Sequence, residues 1–237
     1  MRERSFRDRW AALTPKQRAL VLRELPPDTH LEMGRWWALS ARPSQISPWS
    51  PLRGRAARET ALREIMYWLL QSGRGFGKTR AGAEAIHEEA RTLGQIYGPD
   101  TRIGLIARTT ADVRDTMVEI GDSSILATAP SGFRPAYEPS KRRLTWPNGV
   151  IATTFSGDEP ELLRGPQFHL LWADELASWK YQGTWDRALD ALRLGAHPRA
   201  IITSTPKRGS KAIARLNADP ACFVTRGSTL DNSINLP

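Results

Sequence analysis

QSGRGFGKTRAGAE, residues 71–84, stands directly behind the apolar run IMYWLL of residues 65–70. An apolar run that turns through glycines into a helical pattern reads as strand, turn and helix, and such a turn aims several backbone N–H groups at one point. Glycine lets the backbone wrap an anion without side-chain clashes, and Gly73, Gly75 and Gly77 take that part. Lys78 is placed to reach the β and γ phosphates of a nucleotide, and Thr79 to give its hydroxyl to Mg²⁺. The phosphate-loop pattern G-x-x-x-x-G-K-[ST] asks for glycine at position 72, where this chain carries Ser72.

Outward from this turn, strand and helix patterns alternate. ARETALREIMYWLL reads as a helix running into the strand before the loop; TRIGLIART is a strand and ADVRDTMVEI a helix. RLTW-PNG-VIATTF reads as a hairpin whose Asn148-Gly149 pair supplies a left-handed turn. FHLLWADE, AIITST and ACFVTRGS are strands, with helices over TWDRALDALRL and GSKAIARL. Before the loop, residues 1–40 form a short N-terminal helical segment, with TPKQRALVLREL capped by Thr14 and PPDTHLEMGRWWALS following a proline break; ARPSQISPWSPL is a loop. The predicted fold is α/β: a mostly parallel sheet with helices on both faces over residues 41–237, with the glycine turn as its phosphate loop.

Two further strand ends carry chemistry. FHLLWADELA finishes in Asp174-Glu175; there Asp174 can hold magnesium through water and Glu175 can polarise an attacking water, although acidic pairs also cap helices. AIITSTPKRG sets Thr203, Ser204 and Thr205 at the same sheet edge, either to sense the γ-phosphate or to cap the helix that begins near Ser210.

Composition agrees with a reducing, intracellular compartment. The lone Cys222 cannot form an internal disulfide, and four scattered His offer no metal-ligand spacing. The segment RERSFRDRW is too charged for a signal peptide and no apolar run reaches membrane-spanning length, so no membrane partner is expected. A net charge of +9 points either to a polyanion partner, nucleic acid above all, or to a solvated basic surface. Lys141, Arg142 and Arg143 beside Trp146 form a basic hairpin tip, a candidate for contact with a nucleic-acid backbone or an ordinary charged turn.

SGRGFGKTRAGAE, YEPSKRRLTWPNG, FSGDEPELLRGPQF, LLWADELASW and ITSTPKRG occur in an order that resembles the ATPase domain of the large terminase subunit, the motor that packages DNA into phage heads. The likeness runs from about Ala41 to the end of the chain. It implies a P-loop NTPase fold of the ASCE type, ATP and Mg²⁺ as cofactors, double-stranded DNA as the track, a homo-oligomeric ring on a portal protein, a small terminase subunit as partner, and the host cytoplasm as the place of action. It also implies that Gln45 recognises adenine, that Arg74 approaches the γ-phosphate in its own subunit, that Arg164 acts on a neighbouring subunit's nucleotide, and that Thr203 to Thr205 couple hydrolysis to movement. Full-length members continue into a nuclease, which is not expected within these 237 residues, so DNA cutting is not predicted for this chain. Other readings are a helicase-like or other DNA-dependent ATPase, a P-loop kinase, and a nucleotide-gated assembly module that turns over poorly alone.

Overall fold

The computed structural model describes residues 41–181, 183–229 and 231, together with Thr14, Gln17, Leu20 and Trp37. The chain divides into two compact units, Met1–Pro43 and Ser44–Pro237. In the first, Gln17 N–H donates to Thr14 Oγ1 (3.3 Å) and Thr14 N–H donates to Gln17 Oε1 (2.9 Å), the reciprocal pair of a capping box. The rest of the expected N-terminal helices lies outside the described residues.

In the second unit, helix α1 (Arg55–Glu64) leads into strand β1 (Tyr67–Ser72), the glycine loop and helix α2 (Lys78–Tyr97). Strand β2 (Arg102–Ala107) follows, then helix α3 (Thr110–Asp112), which starts on a Thr109/Asp112 capping box. The expected helix over ADVRDTMVEI continues only by widening into a π coil at Val113–Glu119, closed by Ile120 N–H donating to Asp115 O five residues back. Helix α4 (Ile125–Thr128) and strand β3 (Ala136–Glu138) come next and were not expected from sequence, being too short to show a period. Strands β4 (Arg143–Thr145), β5 (Ile151–Ser156) and β6 (Leu170–Asp174) precede helix α5 (Gly183–Ala191), strand β7 (Arg199–Ser204), helix α6 (Lys211–Ala218) and strand β8 (Cys222–Gly227).

The β4–β5 hairpin corrects one detail. Gly149 takes a left-handed φ of 85°, whereas Asn148 does not. Gly149 N–H donates to Trp146 O and Trp146 N–H donates to Val150 O, both 2.9 Å. Pro147 suits the second position of a type I turn, so the connection is the three-residue loop Pro147-Asn148-Gly149, and of the expected left-handed pair only the glycine is left-handed.

Among the described residues, eight strands form one sheet in the order β3-β4-β5-β2-β6-β7-β1-β8. The six strands from β5 to β8 in that order pair in parallel, and β3 and β4 add an antiparallel edge. Alternate residues of the central strands bury opposite faces. Leu69, Leu171, Ala173 and Ile202 pack with Ala188 and Ala191 of α5 and with Ala212, Ile213 and Leu216 of α6. On the other face α2 lies directly on β6: a Cβ added at Gly82 would stand 2.4 Å from the Trp172 ring. Strands apolar on both faces need such double cover, which explains their unbroken hydrophobic sequences.

One topological fact prepares the site. Strand β7 lies between β1 and β6, with Gln71 level with Ser204 and Asp174 level with Thr203. The carboxyl ends of these three strands therefore open on one edge, where a ligand crevice belongs in an open α/β sheet.

Candidate nucleotide site

The glycine loop is shaped from both sides. Gly75 and Gly77 have φ of 75° and 89°, conformations that side chains disfavour. A Cβ at Gly77 would fall 2.7 Å from Gln45 Nε2, and one at Gly73 would fall 2.7 Å from Thr229 Oγ1. Gln45, buried, donates from Nε2 to Phe76 O at 3.2 Å, so the structure brings it onto the loop itself. Thr79 is half-buried in the first turn of α2.

Lys78 is folded back onto protein oxygens. Its Nζ donates to Ser72 O (3.0 Å), Gly73 O (3.2 Å) and Thr205 Oγ1 (3.2 Å), and stands 3.5 Å from Glu175 Oε1. The side chain is only 8% exposed, so these contacts replace the water it has lost. The Ser72 hydroxyl, at the position where the pattern asks for glycine, is buried without a hydrogen-bond partner.

Glu175 adopts a left-handed backbone (φ 47°, ψ 44°), uncommon for any residue with a side chain. The backbone N–H and the hydroxyl of Thr205 donate to its two carboxylate oxygens at 2.9 and 2.8 Å. Asp174 is buried at the end of β6, and Thr203 Oγ1 donates to its Oδ1 at 2.5 Å. Burial pushes the Asp174 carboxyl up to about 6 and the Glu175 charge adds to this, while the Thr203 hydrogen bond and the Lys78 charge work against it.

Of these groups Asp174, Glu175 and Thr205, together with Arg74, line a cavity of about 450 Å³, whereas Gln45, Gly73, Gly75, Gly77, Lys78 and Thr79 are not on its wall. Arg108 and Lys207 also line it, and sequence reasoning missed both. The available signal was positional: Arg108 directly follows β2, and Lys207 follows β7 by three residues, so both stand at the carboxyl edge of the sheet. Asp112 and Thr116, from α3 and its π extension, close another side.

Two groups of expected residues lie elsewhere. Arg164 is exposed on the turn after β5, paired with Glu161 at 2.8 Å, and does not line the cavity. Lys141, Arg142 and Arg143 sit at the β3–β4 turn, with Lys141 paired to Glu138 (2.5 Å) and Arg142 to Glu159 (3.5 Å). Trp146 is not beside them at a tip: it is buried past the other end of β4, with its indole N–H donating to His87 Nδ1. An indole that large is drawn into the interior, which separates it from the charges it follows in sequence.

The donor set fits magnesium bound with a nucleotide. Among the described residues no three His, Cys, Asp or Glu side chains gather to form a protein cage for an ion. A hydroxyl and one carboxylate, Thr79 and Asp174, are what a cation needs when phosphate oxygens and water complete its shell.

A P-loop strand and an acidic strand separated by one further strand, with a lysine and carboxylates converging at their ends, define a P-loop NTPase fold. The chain belongs to the family described as terminase large subunit, T4likevirus-type, N-terminal, whose model matches residues 69–221. Among solved structures it is similar to the large terminase of a thermophilic bacteriophage in complex with ADP, at 13% identity and a TM-score of 0.62 over 83% of this chain and 48% of that one. The same phage protein in complex with ATP-gamma-S matches at 13% identity and 0.62, over 82% and 46%. The large terminase ATPase domain of Thermus phage P74-26 matches at 16% identity and 0.61, over 89% and 88%. The chain thus spans about half the length of the first terminase and most of the isolated ATPase domain. No curated protein matches it. Among the described residues no helix is long and apolar enough to cross a membrane.

Proposed function

We propose that this domain binds ATP with Mg²⁺ and hydrolyses it to drive double-stranded DNA into a prohead, as the ATPase part of a terminase large subunit. The observation that carries the reading is the meeting of three strand ends: Asp174, Glu175 and Thr205 line one cavity, and Lys78, at the end of the loop after β1, contacts Thr205 and Glu175. The neighbours crystallised with ADP and ATP-gamma-S support the nucleotide. In the cell the domain works in the host cytoplasm, as a homo-oligomeric ring on a portal protein, with a small terminase subunit.

Lys78 exchanges the carbonyls of Ser72 and Gly73 for phosphate oxygens, which offer it full rather than partial negative charge. The N–H groups of the loop through Gly73, Gly75 and Gly77 cradle the phosphates, and Gln45, against the loop, reads the adenine edge. Magnesium, when bound, neutralises charge on the β- and γ-oxygens, and Thr79 and Asp174 are the residues that would hold it. Glu175, gripped on both oxygens by Thr205, orients water for in-line attack. Arg74 on the cavity wall, with Arg164 of an adjacent subunit, stabilises the charge that develops on the transferring phosphoryl group. Loss of the γ-phosphate returns Lys78 to the loop carbonyls and to Glu175, and Thr203 to Thr205 carry that change into α6.

The test is ATP turnover by the purified chain at several concentrations, with and without duplex DNA. Lys78→Ala abolishes nucleotide binding, whereas Glu175→Gln still binds ATP and turns it over about 10²- to 10⁴-fold more slowly. Wild-type turnover in Lys78→Ala overturns the assignment of the loop.

A further inference from the structure

We propose that Trp172 and Thr203 are positioning residues for Asp174, a two-step hydrogen-bond relay that aims this carboxylate at a divalent cation arriving with the nucleotide. The inference rests on Asp174 being a cation ligand in the function proposed above.

An indole N–H can only donate. Trp172 Nε1 lies 3.0 Å from Thr203 Oγ1, so the hydroxyl accepts there and its single proton is left for Asp174 Oδ1, 2.5 Å away. Trp172 thereby fixes which way the hydroxyl points, and the hydroxyl fixes one carboxylate oxygen, leaving the other for the cation. Both relay side chains are fully buried, which keeps water from taking over either bond. A separate bond steadies the main chain, since Trp179 Nε1 donates to Asp174 O at 2.9 Å.

The fold explains why the three groups meet. Trp172 and Asp174 are two residues apart on β6 and face the same side of the sheet, and Thr203 is level with Asp174 on β7. That face is covered by α2, the helix that begins with Lys78 and Thr79. Gly82 of α2 rests directly on the Trp172 ring, so the indole sits between the helix that offers the Thr79 hydroxyl and the strand that offers Asp174. Oriented second partners of this kind govern how well a ligand holds its metal.

The experiment compares ADP affinity by titration calorimetry in magnesium and in EDTA, with thermal melts in EDTA alongside. Thr203→Val keeps the side-chain shape but cannot donate. Its gain in affinity from magnesium is expected to fall about 10- to 100-fold relative to wild type, with affinity in EDTA unchanged. Thr203→Ser restores the gain. Trp172→Phe, which removes only the orienting N–H, lowers it in the same direction, and provides the test should Thr203→Val not fold. Variants that melt earlier yet keep the full magnesium gain overturn the relay and leave these residues as packing alone. A wild-type protein whose ADP affinity ignores magnesium overturns the site assignment, and the relay with it.

Discussion

At the scale of single residues, His87 shows how much of this molecule is held by long-range polar pairs. Trp146 Nε1 donates to its Nδ1 at 3.2 Å, which puts the ring proton on Nε2, where it is donated to Ile125 O at 2.9 Å. Both nitrogens are thus used in the neutral form, and a second proton would break the Trp146 bond. Burial pushes the ring down to about 4; the Ile125 bond opposes this, and Arg91 and Arg80 on the same helix add to it. The unfolded ring takes up its proton near 6.5, before the folded one does. The contribution to stability is therefore complete above about pH 6.5 and is lost as pH falls toward 4, by at most about 3 kcal/mol. Glu84, one turn earlier on α2 and pushed up to about 7 by burial, has the opposite sign: its contribution is present in acid and lost as pH rises through about 7. Wild-type melts alone mix the two, so the comparison is with His87→Gln, whose amide can accept and donate as the ring does. Thermal melts should place this variant within about 1 kcal/mol of wild type at pH 7 and above it at pH 5. Nothing in the sequence marked His87, because its partners lie 38 and 59 residues away and each bond exists only once the sheet has formed.

At the scale of elements, what was legible depended on length and repetition. The six parallel strands and helices α1, α2, α5 and α6 announce themselves by apolar runs or helical periods. Helix α4 and strand β3 span four and three residues, too few for a period to register, and the π coil after α3 differs from an α-helix by one residue in the reach of its backbone hydrogen bonds, which sequence spacing does not resolve. The packing of α2 on β6 was equally hidden, although Gly82 in its helix was in plain view. Glycine lowers helix propensity there, and what it permits is close approach of the helix to the Trp172 ring. Gly82→Ala, favourable in an isolated helix, should here destabilise by about 1–3 kcal/mol through overpacking, measured as a lower urea midpoint. Trp172→Leu makes room for the added methyl, so the double variant should lose less than the two single losses together. Strict additivity would show that the helix does not rest on this ring.

At the scale of the whole molecule, the motifs and their shared sheet edge were readable, and the strand order that decides which side chain meets which was not. Lys78, Asp174 and Thr205 can each be picked out from a strand end, but that Thr205 grips Glu175 follows from β7 lying between β1 and β6, an order no local pattern states. Arg108 and Lys207 escaped for the same reason, as single cations that the strand order gathers into one cavity. Arg164 presents the reverse case: a motif position that the fold leaves outside its own cavity, two-thirds exposed and paired with Glu161, which also pairs with Arg187. Exposed pairs contribute under about 1 kcal/mol, so Arg164→Ala should leave the melting temperature nearly unchanged. If the arginine completes a neighbouring subunit's site, turnover in the assembled protein should fall by about 10³-fold or more, the scale of an arginine supplied in trans. Turnover measured across a dilution series separates the two locations. Wild type should lose specific activity on dilution as subunits part, and Arg164→Ala should be slow at high concentration and converge with wild type in the dilute monomer. A loss of the same size at every concentration would place the effect of Arg164 within its own subunit, where the exposed turn after β5 would have to close over the cavity.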